Sequence, residues 1–135
     1  MRPYIAAMLV PNAEETATWY EENLGFEIVK EKDYTDQGLK VKIVEINDFQ
    51  IEIIENEESV SPEKCVSKYD YSKPTIQGFM KLSFLVDDIE YLVAKLKEKK
   101  VEFTMNLTML NEIKAKCCLI LDLNKNLIQF IEKVE

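Results

Sequence analysis

The side chains that could do chemistry in this 135-residue chain are carboxylates, amines and thiols, because it contains no histidine. Histidine is the commonest general base near neutral pH and the commonest metal ligand. Its absence excludes serine–histidine–aspartate and cysteine–histidine mechanisms and leaves any metal site to carboxylates and thiols. Cys65, Cys117 and Cys118 are odd in number, two are adjacent, and no Cys-x-x-Cys spacing occurs. Neither a disulfide framework nor a thiolate zinc site is indicated. Cys117 and Cys118 sit in an apolar run, where strand geometry sends them to opposite faces and free cysteine is mostly buried and inert. What remains are isolated polar residues on apolar segments. Gln50, Glu52 and Ile54 oppose Ile51 and Ile53 on one strand; Lys81, Ser83 and Leu85 oppose Leu82 and Phe84 on another; Leu127, Gln129 and Ile131 oppose Ile128 and Phe130 on a third. Ile5, Ala7 and Leu9 form the matching set near the N-terminus, opposite Ala6, Met8 and Val10. The wholly apolar sets suit packing beneath helices. The interspersed sets make an apolar wall with a few polar groups, the composition of a small-molecule pocket and also of a half-exposed sheet face.

The elements that would position these residues follow from periodicity. Residues 4–10 read as a strand, apolar throughout and so expected to be buried on both faces. Asn12 suits a helix N-cap, with Glu15 three residues on in a capping-box-like arrangement. Ala17, Tyr20 and Leu24 keep helical spacing, and Gly25 marks the end. Residues 26–32, 39–46 and 49–55 read as strands. Residues 56–77 hold prolines, serines and acidic residues with Tyr69 and Tyr71, and are expected to form a long connection able to act as a lid. The order then repeats: strand 78–86, a cap at Asp87-Asp88, a helix carrying Ile89, Leu92, Val93 and Leu96, and strands at 101–106, 114–121 and 127–132. Val10-Pro11-Asn12 matches Val86-Asp87-Asp88 at an offset of 76, and Glu52 matches Gln129 at 77. The expected organisation is one domain over 1–135, with modules at 1–55 and 78–135 joined by 56–77. Trp19 and Tyr20 are expected to be core.

Composition narrows the function. Hydrophobic residues make up 47% of the chain, so disorder is not expected. No apolar run reaches the length needed to cross a membrane, and no signal-peptide pattern opens the chain, so cytoplasmic placement is expected. A net charge of −8 disfavours binding to phosphate backbones.

The repeat resembles the vicinal oxygen chelate superfamily, which includes glyoxalase I, extradiol dioxygenases, fosfomycin-resistance enzymes and bleomycin-resistance proteins. The resemblance rests on Val10-Pro11-Asn12, then Trp19-Tyr20 through Leu24-Gly25-Phe26, then Leu85-Val86-Asp87-Asp88-Ile89, and finally Asp122-Leu123-Asn124-Lys125-Asn126 before Leu127-Ile128-Gln129-Phe130. It implies an α+β fold of two βαβββ modules, forming a curved, largely antiparallel sheet with a cleft. It places the metal-ligand positions of relatives at Ile5, Glu52, Lys81 and Gln129, of which only Glu52 is an ordinary ligand for a divalent cation. A metal-free binding protein without cofactor is therefore the expected function, with Ile5, Ala7, Gln50, Glu52, Lys81, Ser83 and Gln129 lining the ligand site. Glu52 and Lys81 are expected to pair. An enzyme with atypical metal ligands or Glu52 as base, and an interaction module using the sheet face, are the alternatives. A homodimer is expected from the resemblance.

Overall fold

Alternating apolar residues need a helix or a second sheet to cover one face, and each half of this chain supplies its own helix. The computed structural model describes residues 1–135, apart from the side chains at positions 34 and 35. The first half runs β1 (Ile5–Val10), α1 (Ala13–Leu24), β2 (Glu27–Tyr34), β3 (Leu39–Ile46) and β4 (Phe49–Glu55). A short helix, α2 (Pro62–Cys65), interrupts the connection. The second half runs β5 (Lys81–Leu85), α3 (Ile89–Glu98), β6 (Glu102–Leu110), β7 (Ala115–Leu121) and β8 (Leu127–Lys133). The chain divides into two compact units, Met1–Ser61 and Pro62–Glu135.

Both units have the same topology. One four-stranded sheet has the order β1-β4-β3-β2 and the other β5-β8-β7-β6. In each, the first strand returns beside the last in parallel, and the other ladders are antiparallel. The two βαβββ modules read from the sequence are thus present, as a pair of mixed sheets.

In the first unit, α1 packs on β3 and β4 through Ala13, Thr16, Ala17 and Tyr20, all buried. That spacing of three and four is one helical stripe. Val10, Val44, Ile51 and Ile53 are the fully buried strand residues of this unit. Tyr20 anchors the layer, with edge-on ring contacts to Trp19 and Phe26 at 5.3 Å each. Gly25, at φ 73°, takes the left-handed conformation that ends α1 at low steric cost. In the second unit, α3 packs on β7 and β8 and buries Ile89, Val93 and Leu96. Cys117, Cys118, Ile120 and Ile128 are fully buried.

The helix starts follow the expected capping. The Glu15 N–H donates to Asn12 Oδ1 at 3.0 Å, and the Tyr91 N–H donates to Asp88 Oδ1 at 2.9 Å. Asn12→Ala is expected to cost about 1 kcal/mol, read as a lower urea midpoint at an unchanged slope.

Three expectations are corrected. The first strand is not buried on both faces: it lies at a sheet edge, with Ala7 and Leu9 exposed and Tyr4 outside it. An edge strand can be apolar along its length and still have one face uncovered. The strand expected at 78–86 begins only at Lys81, because Gly78 at φ 132° turns the backbone and Phe79 and Met80 stand exposed. The strand expected to stop at Asn106 continues to Leu110, where Thr108, Met109 and Leu110 pair with Cys117, Lys116 and Ala115.

Candidate functional site

The face of each sheet turned from its helix carries the polar residues singled out above, and strand register decides which of them meet. In the first unit the parallel ladder sets Ile5 beside Gln50, Ala7 beside Glu52 and Leu9 beside Ile54. On the other side, β3 sets Glu45 beside Gln50 and Ile43 beside Glu52. Gln50 Nε2 donates to Glu45 Oε1 at 2.8 Å. Glu45 was not among the expected site residues; the hairpin turn at Asn47-Asp48 fixes the register that places it there, which alternation within one strand does not show. Glu52 is half-buried and makes no hydrogen bond or ion pair among the described residues. Its immediate neighbours are small or apolar, so the carboxylate must keep some contact with water or meet a ligand.

In the second unit the equivalent ladder sets Lys81 beside Leu127, Ser83 beside Gln129 and Leu85 beside Ile131. Ser83 Oγ donates to Gln129 Oε1 at 2.9 Å. Gln129 is buried, while Lys81, Ser83 and Leu85 on the edge strand are exposed. Ser83 and Gln129 thus occupy the places that Ala7 and Glu52 hold in the first unit. Glu52 and Lys81, expected to pair, belong to different units.

A second arrangement recurs in both units and was not foreseen. Glu55, at the end of β4, accepts the Ala13 N–H through Oε2 at 3.0 Å, and Glu132 in β8 accepts the Ile89 N–H through Oε2 at 2.8 Å. Each carboxylate fills an orphan donor at the positive end of a helix. Each also has a lysine from the neighbouring strand: Lys40 lies 3.5 Å from Glu55, and Lys116 lies 4.0 Å from Glu132 and 2.8 Å from Glu90. Glu55 and Glu132 share the offset of 77, and Lys40 and Lys116 that of 76, which is the signal in the sequence that could have revealed them.

Near α1 this arrangement borders a groove of about 640 Å³ whose walls include Asn12, Glu14, Lys42, Glu55 and Glu57. Glu52 does not line this groove, and Lys40 and Lys42 each hold a carboxylate on its wall. Lys42 bridges Glu14 and Glu31. Burial works against its charge, but hydrogen bonds to the two carboxylates hold its pKa above the ordinary lysine value.

The two cysteines of β7 are closed off from solvent. Cys117 and Cys118 are buried, and burial, reinforced by the neighbouring Cys117, pushes the Cys118 thiol up to about 11. Cys65 is exposed on α2. At pH 8 an aromatic disulfide reagent is expected to titrate one thiol per native chain and three in urea, counts set by these burial states. Rapid reaction of three thiols in the native chain would show that the β7 layer opens. Tyr69 and Tyr71 meet edge-on at 5.0 Å, and the Tyr71 hydroxyl donates to Glu63 Oε2 at 3.2 Å. These contacts anchor the 56–77 segment to itself.

Among the described residues, no group of three or more carboxylates and thiols is placed to hold a metal ion. Ile5 and Glu52 in one unit offer a single ligating group, and Lys81 and Gln129 in the other offer no carboxylate. A transition metal does not fit this donor set, because it needs several nitrogen, sulfur or oxygen ligands and is repelled by an ammonium.

With topology and site in view, the class is defined: the chain belongs to the Glyoxalase/Bleomycin resistance protein/Dioxygenase superfamily, whose profile matches residues 4–130. Similar solved structures include a glyoxalase family protein from Enterococcus faecalis, 21% identical over 97% of each chain with a TM-score of 0.80. Glyoxalase I from Zea mays is 19% identical, with a TM-score of 0.77, over 99% of this chain and 45% of that one. TioX from Micromonospora is 10% identical, with a TM-score of 0.70, over 99% of this chain and all of that one. No curated protein matches the sequence. No helix among the described residues is long and apolar enough to cross a membrane.

Proposed function

We propose that this chain is a metal-free small-molecule-binding member of its superfamily. The observation that carries the reading is the pair of sheet faces turned from the helices, on which Ile5, Ala7, Gln50 and Glu52, and separately Lys81, Ser83 and Gln129, come together by strand register. Each is an apolar wall with a few placed polar groups. The donor set argues against the metal chemistry found elsewhere in the superfamily. A homodimer in the cytoplasm is part of this reading. The free thiols suit a reducing compartment, and the negative charge disfavours a nucleic-acid partner.

A second reading has its own support. Glu52 is a half-buried carboxylate without a partner, the state in which a carboxylate can serve as general base. The two readings separate in one experiment. A compound library is screened by thermal shift, and each stabilising compound is followed by mass spectrometry for conversion. Binding raises the midpoint by mass action. Stabilisation with the compound recovered unchanged supports a binding protein; turnover abolished by Glu52→Gln supports the enzyme. About one transition-metal ion per purified chain would sink the metal-free reading, and a light-scattering mass near 15.8 kDa would sink the dimer.

A further inference from the structure

Three polar or charged residues are buried among the described ones: Thr16, Asp122 and Gln129. Buried polar groups need an account, because an unmade hydrogen bond in the interior is costly. Thr16 Oγ1 donates to Asn12 O at 2.9 Å, inside the first turn of α1. The Asp122 carboxylate accepts the N–H groups of Asn124 and Asn126 and the Asn126 side-chain amide, and so folds the turn between β7 and β8. Both are explained by local backbone. Gln129 is not: it sits in mid-strand and faces away from α3.

Its oxygen accepts from Ser83, and its amide nitrogen has no partner among the described residues. That nitrogen is also absent from the buried polar atoms left unsatisfied, which are Ser59 Oγ and Thr104 Oγ1. It therefore keeps some exposure, although Gln129 as a whole is only 8% exposed. The Ser83 bond holds the amide with its oxygen engaged and leaves two N–H donors unpaired on the side of the sheet turned from α3, beside the exposed edge strand β5. Lys81 lies on the same face of β5, one strand repeat of about 6.6 Å from Ser83. It is exposed and makes no ion pair among the described residues, although carboxylates outnumber cations by 25 to 17 in this chain. Lys40, Lys42, Lys116 and Lys125, also on sheet strands or their turns, each hold a carboxylate.

An ammonium and an amide N–H pair, with the competing amide oxygen already occupied, form a set of donors. Leu127 and Leu85 flank them on the same face. We infer that the β5–β8 face of the second unit takes the carboxylate of an apolar acid, with Lys81 as its counter-charge, Gln129 as its amide donor and Ser83 as the residue that orients Gln129. This inference rests on the small-molecule-binding reading above and names the ligand class for that face. An amine would meet a like charge at Lys81, and a neutral amide would leave the ammonium without its partner.

The test uses the full chain with decanoate, decanamide and decylamine as probes, followed by titration calorimetry and by NMR of the Gln129 side-chain amide. Decanoate is expected to bind saturably and shift the Gln129 amide signal, with decanamide and decylamine at least about tenfold weaker, the scale of one charge-assisted hydrogen bond. Lys81→Met should remove the preference for the acid over the amide. Ser83→Ala should weaken decanoate while leaving the thermal midpoint near that of the parent, a split that a purely structural Ser83 would not produce. Decanamide binding to β5 and β8 as tightly as decanoate, or unchanged decanoate affinity in Lys81→Met, overturns the carboxylate assignment and leaves the binding-protein reading standing. If none of the three probes shifts a resonance on either strand, the carboxylate assignment fails, and the binding-protein reading is decided by the library screen.

Discussion

Tyr20→Ala is expected to destabilise the chain by about 3–5 kcal/mol, the range for deleting a buried aromatic ring. Tyr20 is fully buried and has ring contacts on two sides, with Trp19 and Phe26 both at 5.3 Å edge-on. Truncation removes the apolar transfer energy and also leaves a cavity bounded by α1 and the start of β2, which cannot close without moving the helix end at Gly25. Against the typical stability of a domain, about 5–15 kcal/mol, a loss of this size is a large fraction of the total. Urea unfolding followed by tryptophan fluorescence reads the effect directly, since Trp19 lies beside the cavity. A loss below about 1 kcal/mol would show that the helix collapses onto the sheet and that the aromatic cluster is not a rigid anchor. Tyr20→Phe supplies the control, because it keeps the ring and its packing.

The second large effect is expected at Glu55 and Glu132. Each accepts a backbone N–H at the start of a helix and has a lysine nearby. Removing either by alanine substitution orphans the donor, at a cost of about 1–3 kcal/mol; loss of Glu55 also releases Lys40, whereas Lys116 keeps Glu90 when Glu132 is lost. Exposure decides which loss is larger. The Glu55 side chain is 14% exposed and that of Glu132 23%, so Glu55→Ala should cost more. Most of the effect should come from the helix donor rather than from the ion pair, because Lys40 is 62% exposed and a pair open to water contributes little. Glu55→Gln keeps an acceptor and loses only the charge, so it should retain most of the stability at moderate salt. Equal losses in Glu55→Gln and Glu55→Ala would mean that the charge, not the hydrogen bond, holds the helix end.

The amino-acid sequence was sufficient for the order of the strands and of the two long helices, though not for the short helix α2, because that order depends on patterns within ten or fifteen residues. Asn12 with Glu15, Leu24 with Gly25, and the alternation through Gln50 to Ile54 are local signals with local physical causes. The repeat of those signals at an offset of 76 then gave two modules of one kind, and the missing histidine removed a whole class of chemistry. Which face of each strand packs under its helix was also legible, since Ile51 and Ile53 or Ile128 and Phe130 have no reason to stand in water; how exposed the opposite face is was not, because Leu127 and Gln129 on β8 are buried as well.

Tertiary structure decided what meets what. That Ala7 lies beside Glu52, and Ser83 beside Gln129, depends on a parallel pairing between strands more than forty residues apart, which no short-range pattern encodes. The apolar first strand looked buried on both faces because composition reports the affinity of side chains for an interior. Whether an interior exists on each side depends on the place of the strand in the sheet, and β1 is an edge. The same holds for Glu55 and Glu132. By composition they are two of many surface carboxylates, and only the return of the last strand beside the first brings them to the helix ends. Closure of a sheet is a long-range event driven by burial of whole faces, so the contacts it creates belong to the fold and not to any one segment of the chain.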